Sequence, residues 1–301
     1  MEHELRYDLD EAVRRRNISK DNIVTIREAV RNSKLPYVPP NVTDKLIALF
    51  LNACDSLEET KSVMSIYYEA RQSSPEHFEH RDPRSDEIQQ CLNNQDYFYL
   101  PPTPSGIPVI FHRLSNSTAS NYCFDNAIKT FFMTIDACLY EIGPSPGIIF
   151  LFDMKDVRLS HLTRVRLSSI KKFFHYLQEG LPARLCQIHI FNVVSFFGKI
   201  LAMIKPFMKA EIFKCLYTYS SDINYEDFYT KWIPKECLPS DFGGDLPTVA
   251  EMHNNFRKDL EALHGYFLAE EAQRKIIIKT GKNNLKKKDV ESLSLVNLQI
   301  D

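Results

Sequence analysis

Gly147-Ile148-Ile149-Phe150-Leu151-Phe152-Asp153 opens the stretch that decides the fold of this 301-residue chain. Five consecutive apolar residues stop at an aspartate, a polar helical segment follows, and Ile188-His189-Ile190-Phe191-Asn192 supplies a second short run. Apolar runs of this length separated by a helix predict strands buried on both faces, as in a parallel sheet. After Asn192, apolar residues recur at Val194, Phe197, Leu201, Ile204 and Met208, which is helical spacing. Phe196, Ile200, Met203 and Phe207 widen the apolar arc well beyond one core-facing stripe. A helix apolar on so much of its circumference covers apolar surface on more than one side, and the expectation is a lid over a lipid cavity.

Working upstream, Pro108-Val109-Ile110-Phe111 reads as a short strand and residues 119–142 as a long helix. The core side of that helix is Phe124, Ile128, Phe131, Ile135 and Leu139, and a neighbouring side carries the small groups Ala127, Thr130, Thr134 and Cys138. Two threonine hydroxyls one turn apart can meet the polar end of an otherwise apolar ligand. They can equally bond carbonyls of their own helix, and the residues alone favour that second use. Strand, helix, strand, helix and strand from 108 to 192 specify right-handed crossovers in a mostly parallel sheet, an α/β fold.

Further upstream, residues 8–34 read as one or two polar helices with Ile18, Ile23, Ile26 and Val30 inward, and Pro36, Pro39 and Pro40 break the chain. Asp44 reads as the cap of a helix carrying Leu46, Leu49 and Phe50, and Ser56 with Glu59 as a capping box. The expected organisation is a helical N-terminal domain over 1–75, a polar, proline-rich linker over 76–105, an α/β domain over 106–270 and a tail over 271–301. His77 and His80 in the linker have no further ligand at zinc-like spacing and read as exposed loop histidines; no metal is expected.

The composition, 44% hydrophobic with 25% charged residues of both signs, is that of an ordinary globular protein. A net charge of -2 gives no global reason to expect nucleic acid or a membrane surface as a partner, so any such attraction comes from a local patch. Seven cysteines, odd in number and without a C-x-x-C pair, point to reduced, buried thiols and a cytoplasmic protein. The charged start, Met1-Glu2-His3-Glu4-Leu5-Arg6, lacks a signal-peptide core, and Lys199 and Lys205 interrupt the best membrane-span candidate.

No G-x-G-x-x-G follows a strand and no phosphate-binding G-x-x-x-x-G-K occurs, so a nucleotide cofactor is unsupported. Asp241-Phe242-Gly243 copies a kinase tripeptide without the rest of the kinase set. No nucleophile elbow appears and no histidine stands beside a nucleophile, so the expectation is no enzyme and no catalytic residues.

The ordered set Gly106-Ile107-Pro108-Val109-Ile110, Gly147 to Asp153, Ile188 to Asn192, Ile204-Lys205-Pro206-Phe207 and Leu238-Pro239-Ser240-Asp241-Phe242-Gly243-Gly244 resembles the CRAL-TRIO lipid-binding family. It is most similar to the branch that carries tocopherol and retinaldehyde. The helical stretch from Asp44 to Arg71 resembles that family's N-terminal domain, and the resemblance covers roughly residues 40 to 270. Asp289 to Asp301 resembles the end of the retinaldehyde-binding members.

The resemblance implies a sheet floor, helical walls and a mobile gate helix, from Val194 to about Leu216, closing a deep apolar pocket. It places Thr130 and Thr134 where tocopherol carriers have two serines facing the ligand, which turns the preference towards a pocket role. With Ala127, Phe131 and Cys138 from the same helix, it implies Phe152, Tyr176, Leu177, Leu181 and Ile188 as lining, and Val194, Phe197, Leu201 and Ile204 from the gate. Of the family's phosphoinositide-gripping basic set, Arg184 keeps its place, Cys186, Glu211 and Cys215 replace the others, and Lys209 and Lys214 stand at shifted positions. The implied protein is a monomeric carrier that takes one hydrophobic lipid, such as a tocopherol or retinoid, needs no cofactor, and touches membranes, with phosphoinositide a doubtful partner. A lipid-sensing regulator that docks on a partner protein is the alternative.

Overall fold

The computed structural model describes residues 4–32 and 35–275. The segment Asp289–Asp301 and the Lys282–Lys288 cluster lie outside the described residues. Four helices come first: α1 (Leu9–Arg16), α2 (Lys20–Arg31), α3 (Asp44–Ala53) and α4 (Leu57–Ser73). Two more, α5 (Pro75–Phe78) and α6 (Asp86–Asn94), lead into strand β1 (Gln95–Leu100). Then follow β2 (Val109–Leu114), α7 (Phe124–Ile142), β3 (Ile148–Asp153), α8 (Leu167–His175), β4 (Leu185–Phe191), α9 (Phe197–Ile204), α10 (Ala210–Lys214) and β5 (Leu216–Thr218). The chain closes with α11 (Tyr225–Lys231), α12 (Val249–Ala262) and a further helix, α13, over 264–275.

The strands form one sheet in the order β1-β2-β3-β4-β5, antiparallel only between β1 and β2. Each parallel neighbour is reached through helices, α7 between β2 and β3 and α8 between β3 and β4, as the alternation of elements requires. Gly147 lets β3 start beside β4, because a Cβ there would meet the Cys186 sulfur at 2.1 Å and the Arg184 carbonyl at 2.8 Å. One sheet face carries Phe111, Leu151, His189 and Phe191 against the rings of Phe228, Phe242 and Trp232. The other face lies under α7, α8 and α9.

Several local readings change. Thr43, not Asp44, caps α3, its hydroxyl accepting from the Leu46 amide, while Asp44 pairs with both nitrogens of the Arg27 fork at 2.8 Å. Ser56 caps α4 as expected of a serine there, but the Glu59 carboxylate takes the Asp55 amide instead of completing a box. The stretch 76–105 is not a plain linker: it holds α6 and β1, because Tyr97, Phe98 and Leu100 find a partner in β2. His77 is buried, its ring 6.2 Å from that of Phe132, because α5 docks on α7; His80 is exposed. Helix α13 runs through residue 271, where a tail was expected, and buries Glu270, Glu271 and Arg274.

That burial joins the N-terminal helices to the sheet domain. The Arg71 guanidinium in α4 donates to Asp136 in α7 at 2.7 Å, to Glu270 in α13 at 3.2 Å and to the Tyr176 hydroxyl at 2.6 Å. Arg81 bridges the same two carboxylates from the other side, and Arg274 donates to Glu270 at 2.8 Å. Around this ionic knot stand Tyr67, whose ring lies 4.0 Å from the Arg71 guanidinium carbon, and Phe267.

Candidate ligand cavity

Sheet register builds the floor of a cavity. Phe150 and Phe152 of β3 point to one face, and the pairs Phe150–Ile188, Phe152–Ile190, His112–Phe152 and Ile188–Leu216 carry that face across β2, β4 and β5. The walls are Phe124, Ala127, Ile128 and Phe131 from α7, Ile170, Phe173 and Phe174 from α8, and Leu177 just beyond it. Tyr122, Leu162 and Val165 come from connecting segments. The roof is Ile200, Met203 and Ile204 of α9 with Met208 after it. The cavity volume is about 250 Å³, close to the lower bound of about 300 Å³ for small-molecule sites. Among the described residues its only polar side chains are His112 and Tyr122.

Helix α9 differs from the wall helices α7 and α8, since none of its residues is buried. Phe197, Ile200, Met203 and Ile204 rest partly buried against the core. The helix is short because Pro206 follows in a 3-10 turn, Lys205–Phe207, that breaks the amide ladder. The 194–208 segment is therefore one eight-residue helix plus a turn, not a single long helix.

Six of the residues expected at the ligand meet in this cavity: Ala127, Phe131, Phe152, Leu177, Ile188 and Ile204. Thr130 and Thr134 do not line it. Their hydroxyls donate to the carbonyls of Asn126 and Thr130, each at 2.9 Å, inside their own helix. Only the first two turns of α7 border the cavity. At about 100° per residue Thr130 is turned away from Phe131, and Thr134 and Cys138 lie beyond the cavity's end. Cys138 is fully buried, and burial pushes its thiol up, out of reach of ionisation. Tyr176 spends its hydroxyl on Arg71, and Leu181 packs in the core. Val194, Phe197 and Leu201 stand outside the lining, while Ile200 and Met203, two of the four residues that widen the arc, face in and Phe196 and Phe207 do not line it.

His112 is the polar residue that the sequence reading passes over. It stands two residues after Ile110 on a strand, and a two-residue step is the signal that puts it on the same face. Its Nε2 lies 3.0 Å from Gln95 Oε1, and burial lowers its pKa to about 3, so the ring is neutral.

The basic residues expected to grip a headgroup are engaged elsewhere. Arg184 donates to the Ala53 carbonyl at 2.9 Å and pairs with Asp55; Lys209 pairs with Glu179. Lys214 is exposed. Among the described residues no group of three His, Cys, Asp or Glu is placed to hold a metal, and no helix is long and apolar enough to cross a membrane.

The model of the CRAL/TRIO domain matches residues 93–244, half of the chain. The chain belongs to the CRAL/TRIO family. A model of a Pinta-like UBA domain matches residues 16–88, the helical region that precedes the CRAL/TRIO domain. Alpha-tocopherol transfer protein-like from Mus musculus is 30% identical over 226 residues, 74% of this chain. Its counterpart from Homo sapiens is 28% identical over the same share, and clavesin-1 from Rattus norvegicus is 23% identical over 52% of the chain. The chain spans about 64% of the length of the tocopherol transfer protein-like relatives. A solved structure titled "Crystal structure of Sfh5" superposes with a TM-score of 0.54, covering 89% of this chain and 99% of that one at 13% identity. That likeness speaks to the CRAL/TRIO fold alone.

Proposed function

We propose that the protein encloses one hydrophobic lipid in the cavity between the sheet and α9 and exchanges it at membrane surfaces, without covalent chemistry. The carrying observation is a cavity walled by apolar side chains and roofed by a helix none of whose residues is buried. Burying about 500 Å² of apolar ligand surface supplies roughly 12 kcal/mol before ordering costs, enough for tight binding without an ionic contact. Helix α9 is then the gate: moving it exposes Phe197, Ile200 and Met203 together, a face suited to the interfacial layer of a membrane. The name of the relatives, alpha-tocopherol transfer protein-like, supports a tocopherol as cargo; a retinoid or related molecule is the other cargo proposed, carried by a cytoplasmic protein working at the membrane periphery.

The test is transfer of fluorescent tocopherol or retinol between vesicles, paired with mass spectrometry of an organic extract of the purified protein. Ala127→Phe places a ring where a methyl now lines the wall; it is expected to cut binding at least about 10-fold while the fold survives. Equal transfer by wild type and by Ala127→Phe would place the cargo elsewhere.

A further inference from the structure

We propose that the cargo carries a free hydroxyl and that His112 Nδ1 accepts a hydrogen bond from it, so that the cavity selects alcohols over the corresponding ethers. This rests on the lipid-binding reading above and names the chemical class of the cargo.

The polar chain behind His112 sets its proton. Tyr97 donates its hydroxyl to Gln95 Oε1 at 2.8 Å, and the Gln95 amide nitrogen donates to the Cys91 sulfur at 3.2 Å. Gln95 thus presents a carbonyl oxygen to His112 Nε2, which must carry the hydrogen in that contact. A neutral imidazole has one hydrogen, so Nδ1 is left as an acceptor only. Among the described residues Nδ1 has no hydrogen-bond partner. The ring is packed by Tyr97, Phe131 and Phe152, yet it keeps accessible surface at the cavity wall.

An acceptor without a protein donor, at the wall of an otherwise apolar cavity, rewards one ligand chemistry. A hydroxyl satisfies Nδ1; an ether or ester oxygen in its place sets two lone pairs against each other and leaves both unsatisfied. Tyr122, the other polar side chain of the wall, has a hydroxyl that donates or accepts and so does not discriminate.

The experiment measures equilibrium binding of retinol against retinyl methyl ether, and of α-tocopherol against its methyl ether, to the full chain. Each ether adds one carbon and removes the donor. The expected result is an alcohol bound at least about 10-fold more tightly than its ether. In His112→Phe, where Gln95 Oε1 keeps the Tyr97 hydroxyl, that ratio is expected to fall within about 2-fold, chiefly through loss of alcohol affinity. Equal binding of alcohol and ether by wild type overturns the inference and leaves the carrier reading standing; so does a ratio that survives His112→Phe. Binding of neither member of either pair removes both readings. Nitrogen NMR of the wild type provides a readout independent of the variant's folding: the Nδ1 resonance, unprotonated in the free protein, should shift on adding the alcohol and not on adding the ether. An Nδ1 found protonated in the free protein overturns the inference.

Discussion

Arg71 in α4 and Asp136 in α7 meet at 2.7 Å, with side-chain exposures of 0% and 5%. The contact ties a helix of the N-terminal region to the helix whose first two turns wall the cavity. An ion pair this deep is costly to form, but it is costlier to halve, because the surviving charge stays buried without a partner. Arg71→Met is therefore expected to destabilise the protein by roughly 3–5 kcal/mol. Arg184→Ala, which breaks a pair exposed on both sides, should change stability by less than about 1 kcal/mol. Urea denaturation of both variants checks the contrast, and equal midpoints would remove the ionic knot as a structural weld.

Acid should act on stability in two stages. Burial lowers His112 to about 3 and His189 to about 4, from an ordinary value of 6.5. The unfolded chain therefore takes up those protons first as pH falls, and stability present above pH 6.5 declines below it. Burial alone would raise Glu270, but Arg81, Arg274 and Arg71 outweigh it and hold the carboxyl well below its ordinary 4.5. Its contribution is present above pH 4.5 and is lost further into acid. Unfolding free energy measured against pH should fall below 6.5 and more steeply below 4.5, and His112→Phe should flatten the upper limb. A flat profile between pH 4.5 and 7 would show that the histidines are not held neutral.

The parts of this fold that are legible in the sequence are those whose side chains repeat one environment. Ile148 to Phe152 and Ile188 to Phe191 are buried on both faces, so each residue alone reports the strand. Strand β1 is obscured because Gln95 and Asp96 open it with polar groups that the fold satisfies through His112 and Arg113, and Pro101, Pro102 and Pro104 follow at once. The cavity is half legible. Apolar spacing places Phe131 on the core side of α7, and the family resemblance adds Phe152, Leu177 and Ile188, but neither picks Ile200 and Met203 over Phe197 and Leu201 as the α9 side chains that line the cavity. Thr130 and Thr134 are read from the residues alone as hydroxyls bonded inside their own helix, which is where they are, and it is the resemblance that turns them towards the pocket. The Arg71, Arg81, Asp136 and Glu270 knot joins residues up to 199 positions apart, and no local pattern encodes it.

Gly198 offers a direct test of gating. It sits in the first turn of α9, and a Cβ there would meet no atom within 4 Å. Gly198→Ala therefore adds no clash and strengthens the helix by up to about 1 kcal/mol. If α9 must loosen for cargo to leave, transfer between vesicles should slow by up to about 5-fold while equilibrium binding is retained. An unchanged transfer rate would mean that α9 moves as a rigid body or does not move.

Membrane charge gives the last prediction. Gripping a phosphoinositide headgroup needs several cations converging on one point, each contributing about 1 kcal/mol near an anionic surface. Arg184 is held by Asp55 and the Ala53 carbonyl, and Lys209 by Glu179, so each would have to leave a partner to bind phosphate. Lys199, Lys205 and Lys214 are exposed, and Glu211 beside them opposes the attraction. Scattered exposed lysines attract anionic surface in proportion to its charge and do not distinguish one headgroup from another. Flotation with vesicles containing phosphatidylserine or phosphatidylinositol bisphosphate at matched total charge should therefore show equal, weak binding that fades as salt is added. A strong preference for the bisphosphate would mean that Arg184 and Lys209 abandon their carboxylates at the membrane, and Asp55→Asn should then strengthen that preference further.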